Sequence, residues 1–266
     1  MSMRQDTFAN LLQRTGLGAH ALLVRSGAMR LPGIRSIFGL AYERYKLHLE
    51  KGAVAALSRI VSPGSLVIDV GANVGFFTTR FADWVGKDGF VIAIEPDLEN
   101  FEVLERRLSE RDRVKRINAV AAGEKGVLRL KRNEVHPGDH RIALDGDGVE
   151  VASVRLDDLL QLCPDRPLTL VKIDVQGAEM IVLSGASSIL ADKSPALLIE
   201  IDEAQLREFG TSSAALLDHL ESFGYKSNEL DASGATTPID RSGLQKRLAE
   251  SGYLDILFLK SRATAA

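Results

Sequence analysis

The stretch VIDVGANVGFFT, residues 67–78, constrains this chain more than any other. An apolar run, SLVIDV (65–70), passes through glycine into NVGFFTTRFADWVG, where Phe77, Phe81 and Trp84 fall on one helical face. A second strand, FVIAIE (90–95), follows. Next come a periodic helix, DLENFEVLERRLSE (97–110), and a third strand, VKRINAV (114–120). Asp97 is placed to cap that helix, and acids fill its first turn. This βαβαβ order predicts a parallel sheet with right-handed crossovers.

The alternation then breaks. GVLRLKRN (126–133) and GVEVASVRL (148–156) read as half-buried strands, joined by the Gly-, Asp- and His-rich EVHPGDHRIALDGD. A β excursion with a long loop is expected there, and loops of that length are often functional. The pattern resumes with helix DDLLQLC, strand LTLVKID (168–174), helix AEMIVLSGASSILA and buried strand PALLIEI (195–201). Helix TSSAALLDHLESFG (211–224) is expected to be capped by Thr211 and closed by Gly224. YKSNEL and YLDILFLK (253–260) complete the strands.

The first 51 residues differ. They hold eight Lys/Arg against three acids, with apolar residues at helical spacing on either side of LPGIRS. Residues 1–60 are read as a helical extension, a lid or a dimer contact, and residues 61–262 as the main domain. A membrane-surface helix and a targeting peptide are the alternatives for the basic segment. The net charge of −3 argues against a general nucleic-acid binder. A single cysteine, Cys163, excludes an intrachain disulfide and points to a reducing, cytoplasmic setting. No apolar run approaches the length of a membrane span.

The chemistry concentrates at the glycine turn. Glycines permit a tight bend and close approach of a ligand, and the helix start behind them offers unpaired N–H groups. Glu95 ends the next strand, 24 residues after Gly71, where an acid can accept both hydroxyls of a ribose. Gly71-x-x-x-Gly75 is neither the dinucleotide pattern nor a phosphate loop. Asp69, just before the turn, would repel a pyrophosphate but suits an ammonium. A nucleoside carrying a cationic amino-acid tail fits better: S-adenosylmethionine.

Several segments together resemble the FkbM family of S-adenosylmethionine-dependent methyltransferases. They are VIDVGANVGFFT (67–78), AIEPDLENFEVLERRL (93–108), NAVAAGEKGVLRL (118–130), VRLDDLL (154–160), LVKIDVQGAEMIVLSGA (170–186) and ALLIEI (196–201). The resemblance implies an α/β, Rossmann-like class I methyltransferase fold: a seven-stranded sheet, mostly parallel, with its last strand antiparallel. The N-terminal helical appendage and a β-hairpin-like insertion would be additions to it. The resemblance also implies methyl transfer to a hydroxyl of a sugar, polyketide or similar small molecule. Gly71, Asn73 and Gly75 would line the methionine part of the cofactor. Glu95 would hold the ribose, Asn118 and Ala119 would flank the adenine, and Asp174 would sit beside the methyl donor. The family more often has an acid where this chain has Gln176, which puts any charge-dependent role there in doubt.

Methyl transfer needs an acceptor oxygen held in line and relieved of its proton. Asp69, Glu95, Asp174 and Glu200 all fall near strand ends, where open α/β sheets bind ligands. His140 and Arg141, in the loop GDHRI, are the expected acceptor-side residues beside Asp174, with His136 nearby; solvated loop positions are the alternative. Glu179 is either a helix-start residue or a catalytic one. Asp174, Glu200 and Asp202 offer hard oxygen ligands, but without a compact D-x-D cluster no metal is expected. Competing functions are methylation of a peptide nitrogen or a lipid-linked sugar, and a cofactor-binding module without turnover.

Overall fold

The computed structural model describes residues 43–132, 140–143, 146–163 and 165–260. Most of the predicted N-terminal extension, and His136, lie outside the described residues. The chain divides into two compact units: residues 1–49 with 134–136, and residues 50–133 with 137–266. In the first, residues 43–49 are helical. The second unit carries both sheets.

Helix α1 (Lys51–Ile60) precedes β1 (Leu66–Val70), α2 (Phe76–Val85), β2 (Phe90–Ile94), α3 (Leu98–Arg107) and β3 (Val114–Ile117). After the excursion come a single turn, α4 (Leu156–Leu159), then β8 (Leu168–Ile173), α5 (Glu179–Ser184) and β9 (Ala196–Asp202). Then follow α6 (Glu203–Glu208), α7 (Ser213–Ser222), β10 (Tyr225–Leu230), β11 (Thr236–Pro238), α8 (Arg241–Ser251) and β12 (Tyr253–Lys260). The main sheet runs β11-β10-β12-β9-β8-β1-β2-β3. Strands β3, β2, β1, β8 and β9 are mutually parallel, and β12 enters antiparallel between β9 and β10. The expected seven strands are present, and β11 adds an eighth at the edge, antiparallel to β10.

The core lies on both faces of this sheet. One layer packs Ile68, Ile92, Val171, Ile173, Ile199 and Ile201 against α5, α7 and α8. The other packs Val67, Leu170, Leu198 and Leu257 against α1 and α2, where the Phe77 and Phe81 rings stack at 5.7 Å and Trp84 meets Phe81 edge-on. Strand β1 is buried along its whole length, as a central strand covered on both faces must be.

Several elements differ from expectation, each for a local reason. The third strand breaks after Ile117: Val120–Ala121 forms β4, which leaves the main sheet and pairs with β7 (Val149–Val154). With β5 (Gly126–Lys131) and β6 (Arg141–Ile142) they make a four-stranded sheet in the order β4-β7-β5-β6, more than the hairpin expected. The helix predicted through 178–191 is broken after Ser184 and becomes helical again from 187, ending in a wide turn at Ile189–Lys193. A Cβ at Gly185 would meet the Ala122 carbonyl oxygen at 2.1 Å, so the chain packs backbone to backbone there. The cap of α7 is Ser212, whose hydroxyl accepts from Ala215 N–H, rather than Thr211. Helices α6 and α8, begun by Asp202 and Asp240 caps, complete the C-terminal part. Among the described residues no helix is long and apolar enough to cross a membrane.

Candidate active site

Strand β1 lies between β2 and β8, and the sheet order reverses beside it, so β1 and β8 diverge into loops on the same sheet edge. Two tight turns meet here. The first runs Gly71–Gly75 and contains three left-handed residues: Gly71 (φ +77°), Asn73 (+49°) and Gly75 (+85°). Gly71 and Ala72 N–H both donate to the Ile94 carbonyl at the end of β2. The second turn follows β8, with Gln176 at φ +54° and Gly177 at +96°. Asp174 N–H donates to the Val70 carbonyl. The turns touch through backbone: a Cβ on Gly71 would fall 1.9 Å from the Asp174 carbonyl oxygen. Gly75 is likewise crowded, by Leu104 of α3. Gly71 is therefore required by a backbone contact inside the fold, while Gly75 is required by its φ, since the Leu104 methyl beside it can shift; both constraints add to the ligand access read from sequence.

Glu95 follows β2 directly and is 96% buried. Its Oε2 accepts from Asn73 N–H at 2.8 Å and its Oε1 from Asp97 N–H at 2.9 Å. Burial pushes this carboxyl up to about 7, against the pull of those amides. Asn118, at the break between β3 and β4, donates its amide to the carbonyls of Glu95 (2.9 Å) and Pro96 (3.0 Å). Asn118 thus fixes the loop that carries Glu95, and Ala119 beside it is buried.

Asp69 is enclosed in β1. Its Oδ2 accepts from the Thr78 hydroxyl at 2.6 Å, and its Oδ1 is buried without a hydrogen-bond partner. Burial raises its pKa, while Lys172 and Thr78 act in the opposite sense. Lys172 was not singled out from sequence. It stands opposite Asp69 in the β1–β8 register, is 95% buried, and bonds Asp174 Oδ2 at 3.0 Å. Burial alone would lower the Lys172 ammonium, yet Asp174 and Asp69 override it and hold the group above its usual range. Lys172 thus places a cation of the chain's own beside Asp69. A signal was available: a lysine inside the apolar run LVKID, two residues from Asp174, points to the same strand face.

Asp174 directly follows β8 and Glu200 lies near the end of the adjacent strand β9, and the structure joins them through Gln176. Its Nε2 is 3.4 Å from Asp174 Oδ1 and 3.2 Å from Glu200 Oε1, and its Oε1 accepts from Gln205 of α6 at 2.9 Å. Glu179 is turned inward: Oε1 accepts from Gly177 N–H at 3.0 Å and Oε2 is buried without a hydrogen-bond partner. Burial pushes it up to about 7. Asp202 caps α6 through Ala204 and Gln205 N–H. Among the described residues no three or more His, Cys, Asp or Glu gather as a metal site would require.

The second sheet covers this edge. Its apolar face, Val120, Leu130, Ile142 and Val151, packs with Ala178 and against Val175, Ile181 and Phe209. His140 Nε2 reaches Asp97 Oδ2 at 3.7 Å, where Arg132 also bonds at 2.6 Å. Arg141 is paired with Glu208 of α6. The predicted acceptor-side residues therefore anchor the strap β6 at two places, at Asp97 beside Glu95 and at the C-terminal end of α6.

The sequence pattern of the methyltransferase FkbM domain matches residues 69–227, from Asp69 through both turns and the second sheet into β10. The chain belongs to the FkbM methyltransferase family. Comparison with curated proteins finds no match. Similar solved structures include an FkbM methyltransferase from Methylobacillus flagellatus KT, at 18% identity and TM-score 0.47, covering 74% of this chain and 44% of that one. The chain thus spans less than half the length of that protein. Aeropyrum pernix fibrillarin, solved with natively bound S-adenosyl-L-methionine, is similar at 14% identity and TM-score 0.45, covering 79% and 76%. A methyltransferase from Aquifex aeolicus described as SAM-dependent gives 14% identity and TM-score 0.44, covering 80% and 91%.

Proposed function

We propose that this FkbM-family protein transfers a methyl group from S-adenosylmethionine to a hydroxyl of a small molecule such as a sugar or polyketide. The observation that carries the reading is the Glu95 carboxylate. Two backbone N–H groups, of Asn73 and Asp97, orient it at the switch point, with the Asn100 side chain also bonded to it. A carboxylate so oriented can accept from the two hydroxyls of a ribose. Bound there, the cofactor would supply a methyl group on a positively charged sulfur.

The protein's part is binding, orientation and proton handling. The Gly71–Gly75 turn and Glu95 would hold the nucleoside side. Asn118 would keep the Glu95 loop in place, and the buried Lys172–Asp69 pair would set the charge beneath the turn. Asp174, half-exposed at the β8 end, would accept a hydrogen bond from the acceptor hydroxyl and take up its proton. The second sheet would shield the site from water, with His140 and Arg141 shaping its mouth. Carboxylates at the strand ends and a net charge of −3 favour a neutral small acceptor over a nucleic acid, and a cytoplasmic setting is part of the same reading.

Calorimetry with S-adenosylmethionine and S-adenosylhomocysteine tests the first half: both should bind, and Glu95→Gln should weaken both at least tenfold. No binding of either by the full chain would refute the proposal. Incubation with methyl-labelled cofactor and a panel of sugar and polyketide alcohols tests the second half. A base-stable methyl ether is the expected product, and label found only on nitrogen would refute hydroxyl transfer.

A further inference from the structure

We propose that Gln176 is a positioning residue: its side-chain amide holds the Asp174 and Glu200 carboxylates side by side, both in charged form, at the ends of β8 and β9. A carboxylate oxygen can only accept, so the amide must turn its NH₂ toward Asp174 Oδ1 and Glu200 Oε1, at 3.4 and 3.2 Å. Its own oxygen is then free for Gln205 Nε2, at 2.9 Å. One neutral group thus supplies one N–H to each of two anions on adjacent strands.

The backbone is built to hold that amide. Gln176 takes a left-handed conformation uncommon for residues other than Gly, Asn and Asp. The next residue, Gly177, is fixed from two sides: its N–H donates to Glu179 Oε1, and a Cβ there would meet the Gln205 carbonyl oxygen at 2.6 Å. Gln205 therefore supports the turn through its backbone and the amide through its side chain.

This donor sits among several charges. Lys172 on β8 bonds Asp174 Oδ2, but it also faces Asp69 on β1 and Asp255 on β12. Asp255 stands opposite Glu200 in register, and Glu179 on α5 adds a further carboxyl near Asp174. The Lys172 ammonium thus faces three acids, Asp174, Asp69 and Asp255. Two carboxylates brought together without a common donor retain a proton between them. With the amide in place, the pair presents two negative charges, which favour an acceptor offering hydroxyl or amine donors. That last consequence rests on the methyltransferase reading; the pairing does not.

The test is a carbon-13 titration of the labelled Asp and Glu carboxyls in the full chain. Gln176→Met keeps the shape and removes both donors, and should raise the midpoint of Asp174 or Glu200 by about one pH unit or more. Gln176→Glu places three acids together, and one carboxyl absent from the parent titration should appear with a raised midpoint. A purely structural Gln176 would lower the thermal midpoint and leave both titrations where they were, and that outcome overturns the proposal. Should Gln176→Met fail to fold, Glu200→Gln reads the same coupling. Removing that charge should lower the Asp174 midpoint, and an unchanged midpoint overturns the proposal equally. These readouts need no acceptor. Loss of cofactor binding would instead count against the proposed function.

Discussion

Gly71→Ala is expected to cost this domain about 2–5 kcal/mol, from two separable contributions. Gly71 has φ of +77°, where an L-residue costs roughly 1–2 kcal/mol. The added Cβ would also lie 1.9 Å from the Asp174 carbonyl oxygen and 3.0 Å from its carbon. Neither atom belongs to a flexible side chain, and both turns are bonded to their strands, so the strand ends must part. Overpacking of that kind costs about 1–3 kcal/mol. Gly64→Ala is the control, because Gly64 has φ of +80° with open space around its Cβ position. It should lose only the conformational part, itself offset by the roughly 0.4–1 kcal/mol that alanine recovers by stiffening the unfolded chain. For a domain of this size, about 1 kcal/mol moves the melting temperature by roughly 2–4 °C. Urea unfolding followed by the fluorescence of Trp84 measures both variants. If their stabilities agree within about 0.5 kcal/mol, the two turns do not bear on one another as described.

Lys172→Met should lower stability by about 3–5 kcal/mol in the same assay, because it leaves the enclosed carboxylate of Asp69 and the Asp174 oxygen without their cation. Adding Asp69→Asn should recover part of the loss, and a single variant as stable as the parent would refute the pairing. Glu95 and Glu179, both raised from 4.5 to about 7, bind more protons folded than unfolded between those values. Their linkage therefore makes stability fall as pH rises from 4.5 to 7 and level off above, by a few kcal/mol at most. Urea midpoints from pH 5 to 8 check this. Glu179→Gln should flatten the slope, and stability that rises across that window would contradict the assignment.

How much of this was legible in sequence depended on the range of the interaction. The strands of the parallel sheet were readable because burial on both faces leaves short, mostly apolar, β-branched-rich runs such as LVIDV and LTLVKI, broken only by Asp69 and Lys172 among charged residues. Asp97 was readable as a cap because capping is a contact over two or three residues. The break at Asn118 was not. VKRINAV continues smoothly as a string, and only the Asn118 amide, bonded to carbonyls 22 and 23 residues earlier, shows where the chain changes sheets. Helix α8 was missed because its exposed face, with Arg241, Lys246, Arg247 and Glu250, dilutes the two buried leucines that anchor it, Leu244 and Leu248. At the site, the glycine turn and Glu95 could be named from spacing, and Asp174 from its place at a strand end and from the family resemblance. Their mutual support could not, since Lys172, Gln176 and Gln205 gain their meaning only when β1, β8 and α6 are brought together.

The contact between the two turns also bears on how such a site can change. The Gly71–Gly75 turn and the turn after β8 share a backbone-to-backbone wedge at Gly71 and Asp174. Neither can alter its course without moving the other, so an insertion or deletion in one would disturb the partner loop at once. Diversification at this edge is therefore channelled away from the backbone. It falls to exchangeable side chains such as Gln176, and to the separate sheet laid across the opening, whose loops can lengthen while the paired turns stay as they are.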